Sequence, residues 1–469
     1  MRIWLLCHQF LPEYYAGTET VTLQTALQLK QNGHDVTVIS GHPDLTALNR
    51  ASIALERYSY KSLPVIRLRS SAADSEIKHD YRSLYRNTPV AETLSRLLDS
   101  EPIPDIAHFF NFRHLTPAVV PVFKQRNIPI LFTATDFFPT CSLSHLRYYD
   151  GQKCDGPRAD FGNCLRHHLQ IILPQELRPG LEQYSDEDMG NLIWLSGHDL
   201  PAEVTTFLHP ADAGQEWFKE LARGLVEHKT LMVQALADVD KILAPSAIAS
   251  KVLVRSGIDE EKLETLPFGL DKKGLIRNLN RGQKRKLELL FIGQITKHKG
   301  LTILVEALMK LPESANFSLH VYGDLQKDRY YSESILRLTK GDPRIIFMGS
   351  FTPDRLHEIL AKHDVIVIPS LWSENTPMVL LYSQAAGLPA LVSDEEGLCE
   401  TIQDGKNGLT FKTGDAEELS KCIRRLIEEP DLVPKLADGT VPGFSIEDHA
   451  QALERLYKDC ARKPAAASP

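Results

Sequence analysis

A parallel α/β architecture built from two doubly wound sheets is the fold class this sequence predicts, on three observations. Apolar runs of strand length alternate along the 469 residues with segments of helical periodicity, the pattern of strand–helix–strand crossover units. The runs fall into two series, so two sheets fit better than one. Between the series, Asn278 to Lys286 reads NLNRGQKRK, which is polar, basic and free of apolar periodicity, as a boundary segment is.

The elements follow in order. In the first series the strands are Arg2 to Leu6, Asp35 to Ile39, Ile106 to Phe109, Pro129 to Thr133 and Lys241 to Ala244. Gly17 opens the first helix, which carries Val21, Leu23, Ala26, Leu27 and Leu29 and ends at Asn32-Gly33. The second series reads Leu287 to Ile292, Phe317 to Tyr322, Ile345 to Phe347, Val365 to Ile368 and Ala390 to Val392. Gly300 starts a helix with Leu301, Leu304, Ala307 and Leu308 at helical spacing, and another helix begins near Pro377, where a missing N–H costs nothing. Ile446 to Cys460 reads as a last helix, and Lys463 to Pro469 as a frayed tail.

Composition narrows the function classes. With 43% hydrophobic and 24% charged residues and a net charge of −8, the chain reads as an ordinary soluble globular protein, without the basic excess of a nucleic-acid surface. No run of about 18 apolar residues suggests a membrane span, and MRIWLLCHQF has too short an apolar stretch for a secretory signal. A cytoplasmic protein is expected, with peripheral attachment to a membrane surface left open. Seven scattered cysteines read as reduced thiols rather than a disulfide framework.

Sheets of this kind hold ligands beyond the carboxyl ends of their strands, so the loops there supply the candidates. In the second series one such loop is GQITKHKG, with Gln294, Lys297, His298 and Lys299, and another is SLWSENTP, with Trp372, Glu374, Asn375, Thr376 and Pro377. Gly397 and Leu398 would bring backbone N–H groups toward a phosphate at a helix start. In the first series Gly17 follows an aromatic-rich loop, and His108, Asn111, His114 and Asp136 stand at strand ends. Taken singly, each of these is as readily a turn glycine, a solvated lysine or a surface histidine. Cys141, Cys154, Cys164 and His167 offer the ligand types of a closed zinc site or, less commonly, an iron–sulfur centre; free cysteines in a loop-rich insertion are the other reading.

Taken together, these motifs resemble the retaining, family 4, GT-B-fold glycosyltransferases, the group 1 glycosyl transferases. Their signature is a Glu, seven residues and a second Glu; this chain has Glu374 in the first place and Tyr382 in the second. In the family the first Glu contacts the donor sugar and the second accepts hydrogen bonds from the ribose, which a phenol with a single oxygen cannot copy. Lys299 matches the lysine aimed at the donor pyrophosphate, Gln294 stands where the family has Arg, and Thr135-Asp136 stands where many relatives have His-Asp. The resemblance implies two Rossmann-like domains facing across a cleft. These are residues 1–277 on the acceptor side with an insertion at about 141–227, 278–445 on the nucleotide-sugar side, and 446–469 crossing back to the first domain.

It further implies transfer of a sugar, with retention of configuration, from a nucleoside-diphosphate sugar to a glycan or glycolipid acceptor in polysaccharide biosynthesis. Glu374 and Asp136 are then the catalytic candidates, while Gly17, Gln294, Lys299, Asn375, Thr376, Pro377, Tyr382, Gly397 and Leu398 surround the donor. No catalytic cofactor is implied, so any zinc would be structural. Gln294, Tyr382 and Thr135 also support another reading, a catalytically degenerate partner that binds sugar nucleotide or glycan. An epimerase or phosphorylase is a weaker alternative, since no lysine resembles a pyridoxal phosphate site.

Overall fold

The structure is a computed structural model that describes residues 1–42, 53–70, 85–148, 152–173, 178–196, 214–282 and 286–462. The chain divides into two compact units: Met1–Pro245 with Ala249–Pro267 and Glu447–Pro469, and Ser246–Ile248 with Phe268–Ile446. The tail Lys463 to Pro469 and residues 283–285 of the predicted boundary segment lie outside the described residues.

The first unit holds an eight-stranded sheet. Its strands are β1 (Arg2–Cys7), β2 (Asp35–Ser40), β3 (Ile53–Tyr60), β4 (Leu63–Ser70), β5 (Ile106–Phe109), β6 (Ile130–Thr133), β7 (Lys241–Ala244) and β8 (Leu263–Thr265). They lie in the order β3-β4-β2-β1-β5-β6-β7-β8, parallel except for the β3–β4 hairpin at the edge. In the second unit β9 (Leu287–Ile292), β10 (Phe317–Tyr322), β11 (Ile345–Gly349), β12 (Val365–Ile368), β13 (Ala390–Ser393) and β14 (Gly408–Phe411) lie in the order β11-β10-β9-β12-β13-β14. All pairs in this sheet are parallel. That is the doubly wound order, and its reversal between β9 and β12 opens a crevice beyond their carboxyl ends.

All ten strands read from the sequence are present, and four were not foreseen. β3 alternates exposed and half-buried residues at a sheet edge, so it lacks an apolar run. β4 carries Pro64 and the buried Arg67 within its apolar pattern. The terminal nitrogens of Arg67 donate to Glu13 at 3.0 Å, the Tyr58 hydroxyl at 2.8 Å and the Phe10 carbonyl at 3.3 Å, so it serves as a core polar tie. β8 spans only three residues, and β14 opens on Gly408.

Each unit has its own core. Trp4, Phe109, Phe112, Phe123 and Phe132 fill the first sheet's helix-covered face, with Phe112 and Phe132 stacked at 4.8 Å. Helices Gly162–Ile172, Asp186–Leu195 and Gly214–Asp238 bury a separate cluster around Leu165, Leu169, Met189 and Leu221. The final helix, Ile446–Arg462, is tied to the first unit where the Tyr457 hydroxyl meets His108 Nδ1 at 2.7 Å and Asn32 donates to Glu454 at 2.6 Å. In the second unit Leu289, Val305, Leu319, Val367 and Ile423 form the main core.

The boundary segment is less of a linker than its composition suggests, because Arg281 is 2% exposed. Its guanidinium donates to the carbonyls of Leu360 at 3.0 Å, Ala386 at 2.9 Å, Gly387 at 2.7 Å and Asn278 at 3.0 Å, and also to His363. All of these acceptors except Asn278 lie at the ends of helices Leu356–Lys362 and Met378–Ala385, where carbonyls lack intrahelical partners. Arg281→Ala should therefore lower the stability of the second unit by about 3 kcal/mol, read from the urea midpoint, since several buried acceptors lose their donor at once.

Candidate functional site

Three loops at the carboxyl ends of β9, β12 and β13 meet in the second unit. They pack backbone on backbone. A Cβ on Gly300, whose φ is +72°, would stand 1.7 Å from the Pro369 carbonyl oxygen, and one on Gly397 would stand 1.8 Å from that of Glu374, so neither position admits a side chain. Leu371 N–H donates to the His298 carbonyl at 2.8 Å and the Ser393 hydroxyl to the Ser370 carbonyl at 2.7 Å, which locks the three loops together.

Within this frame Lys299 and Glu374, 75 residues apart, form an ion pair at 2.7 Å. Glu374 is only 6% exposed, and its Oε1 also accepts the Ser370 hydroxyl at 2.6 Å. Burial by itself would raise its pKa, but the Lys299 cation and hydrogen bonds from Lys299, Ser370 and Trp372 outweigh it and hold the carboxyl below its ordinary value. The Lys299 ammonium lies 4.5 Å from the centre of the Trp372 ring, and the His298 ring lies 4.5 Å from the same indole. A buried carboxylate beside a half-exposed cation is an arrangement that can hold a hydroxyl-rich group and a phosphate side by side.

The other residues singled out from sequence are placed as follows. Gln294 is half-buried in the loop after β9, Asn375 is buried, and Thr376 donates from its hydroxyl to the Asn375 carbonyl at 2.8 Å. Pro377 precedes the helix Met378–Ala385 as its cap. Tyr382 is 7% exposed among Leu290, Tyr322 and Leu380, so it sits in a core cluster. Gly397 and Leu398 fall on a single-turn helix, and the Leu398 N–H donates to the Glu395 carbonyl at 2.9 Å.

In the first unit Gly17 begins the helix Gly17–Gln31. The Thr135 hydroxyl takes a hydrogen bond from Thr18 at 2.9 Å and donates to the Phe110 carbonyl at 2.7 Å, tying three loops. Asp136 accepts from Asn111 at 2.9 Å and from the Phe138 N–H at 2.9 Å, so both of its oxygens serve to hold loops. His108 is fully buried inside the unit, away from any strand-end surface. His114, at φ +63°, lies against His8 with ring centres 6.0 Å apart. His8 Nε2 stands 3.4 Å from Glu19, a carboxylate with no exposed surface. Sequence reasoning missed this pair; the only signal was a histidine directly after a buried strand.

Among the described residues no group of three or more His, Cys, Asp and Glu side chains is placed to hold a metal, and this includes Cys141, Cys154, Cys164 and His167. The thiols are neighbours: burial first, then the proximity of Cys141 and Cys154, pushes the Cys164 thiol well above its ordinary value. Cys154 accepts from Asn163 at 3.6 Å, and the His167 ring lies 6.4 Å from Tyr148.

Residues 273–439 match the family described as glycosyl transferases group 1. Amylovoran biosynthesis glycosyltransferase AmsK of Erwinia amylovora is 25% identical over 246 residues, covering 50% of this chain and 58% of that protein, so the chain spans little more than half of this relative. Sucrose-phosphate synthase from Thermosynechococcus elongatus shares the fold over 98% of this chain and 99% of its own, with a TM-score of 0.64 at 16% identity. HepE of Anabaena, solved with UDP, does so over 98% and 100% with a TM-score of 0.62 at 13% identity. Residues 273–439 of the second unit thus resemble the group 1 glycosyl transferases, and the chain has the α/β fold with two parallel-sheet units found in GT-B glycosyltransferases.

Proposed function

We propose that the chain is a glycosyltransferase that moves a sugar from a nucleoside-diphosphate sugar to a glycan or lipid-linked acceptor with retention of configuration. One observation carries this reading: the Lys299–Glu374 pair at the strand-order reversal of the unit that matches the family. The solved neighbour that holds UDP supports the donor class. Lys299 takes the donor pyrophosphate, where departure of the nucleoside diphosphate concentrates negative charge and a positioned cation stabilises the transition state more than the substrate. Glu374 takes hydroxyls of the sugar. The acceptor hydroxyl attacks on the face the phosphate leaves, and the departing phosphate draws off its proton, so no protein base is required; this is the course the family resemblance implies. Among the described residues no helix is long and apolar enough to cross a membrane.

The test is transfer from labelled UDP-, GDP-, ADP- and dTDP-sugars to a panel of glycan and glycolipid acceptors. Glu374→Ala is expected to lower transfer by about a thousandfold, the size of a lost group that acts at the reacting centre. Binding of no donor by the wild-type protein would overturn the reading. The burial of Tyr382 and the Gln294 substitution favour one second reading, a donor-binding partner without transfer, which that panel would reveal as binding without product.

A further inference from the structure

We propose that Trp372 is a positioning residue for the donor: its ring face holds the Lys299 ammonium and its N–H holds the Glu374 carboxylate, so one side chain sets both donor-binding groups. The inference rests on the donor-site reading given above and adds a residue that reading does not use. The surroundings of Trp372 motivate it. A packing tryptophan sits among apolar side chains, whereas this half-exposed one has a cation 4.5 Å over its ring, an imidazole 4.5 Å away, and its buried N–H directed at a carboxylate.

The chemistry explains why such a residue is needed. Lys299 carries its charge on a flexible four-carbon stem, and a salt bridge alone leaves that stem several conformations. An indole has two side-chain torsions and a broad face, so it confines the ammonium at low entropic cost. Trp372 is itself fixed by the loop after β9, through the His298 ring and the hydrogen bond from Leu371 N–H to the His298 carbonyl at 2.8 Å. Since Lys299 belongs to that same loop and Glu374 follows Trp372 by two residues, the indole sits between the two loops and keeps the pair in register. When phosphate draws Lys299 away from Glu374, the ring face keeps the ammonium within the site and the indole N–H keeps the carboxylate oriented toward the sugar.

The two arms are separable. Trp372→Phe keeps an aromatic face but removes the N–H; Trp372→Leu removes both. Titration calorimetry on the full chain with UDP and UDP-glucose, GDP and GDP-mannose, and ADP and ADP-glucose selects the pair the wild type binds, and the ratio of the two affinities reports the sugar contact. Trp372→Phe is expected to leave the diphosphate affinity within about twofold while reducing the preference for the sugar conjugate about tenfold. Trp372→Leu is expected to weaken the diphosphate about tenfold as well. Nucleotide should also change the indole emission of the wild type, and that change should be absent from Trp372→Phe. A purely structural Trp372 would show wild-type affinities in a folded Trp372→Phe variant, and that result overturns the proposal. A wild type that binds none of the six probes overturns the donor-site reading itself, and the Trp372 role with it.

Discussion

Acidification from pH 7 to pH 5 is expected to unfold the first unit while the second stays folded. Burial is the leading cause that holds six histidines of the first unit neutral, lowering His8, His228 and His449 to about 4, His108 and His168 to about 3, and His114 well below its ordinary value. Two of them have ring nitrogens committed to buried partners: His108 lies 2.7 Å from both the Tyr457 and Thr133 hydroxyls, and His449 Nδ1 lies 2.9 Å from the Pro267 carbonyl. An unfolded histidine takes up a proton near pH 6.5, but these do so only well below it, five of them not until about pH 4 or 3. Between those limits the unfolded chain binds more protons than the folded one, so stability falls as pH falls.

At pH 5 each such histidine costs about 2 kcal/mol, and together they approach the whole stability of an ordinary domain. The second unit holds His363, lowered to about 4 by burial, and His320, lowered chiefly by burial. Hydrogen exchange resolved by peptide, measured at steps from pH 7 to pH 4, should show protection lost first from β1, β5 and the final helix. Loss from β9 and β12 first, or a single transition below pH 4, would overturn the account.

The fold was legible in the sequence where burial is two-sided. β1 from Ile3 to Cys7 and the whole of β12 are continuous apolar runs, because a parallel strand covered on both faces has no polar alternation to show. β3 and β8 were illegible for the opposite reason, being exposed or very short. Lys299 and Glu374 could be picked out because each follows a recognisable strand end, but their pairing is set by the neighbouring places of β9 and β12 in the sheet, which local pattern does not encode. Asp136 reads as a strand-end carboxylate in the sequence. In the structure it is a loop tie, and only the positions of Asn111 and Phe138 reveal that.

Lys299→Met and Glu374→Gln, singly and together, are expected to separate stability from function at the same pair. Removing Lys299 alone leaves a carboxylate at 6% exposure without its cation, and burial, then opposed only by the hydrogen bonds from Ser370 and Trp372, raises the carboxyl pKa relative to wild type. Breaking a buried pair this way costs about 3 to 5 kcal/mol; the half-buried Lys299 places this one near about 2 to 3 kcal/mol at pH 7. The sign with pH is fixed. The variant with the higher folded carboxyl pKa loses stability relative to wild type as pH rises, so the gap between Lys299→Met and wild type should shrink as pH falls toward about 4. The double variant replaces the ion pair with a thioether and a neutral amide of similar size and should recover most of the loss in urea unfolding. It should recover no transfer, because neither pyrophosphate nor sugar then meets its group, and transfer should remain lower by at least about a hundredfold. A double variant as unstable as Lys299→Met would mean that the two side chains are not energetically coupled. One that regained transfer would show that the pair serves the fold alone, and the donor site would then have to be sought elsewhere on the molecule.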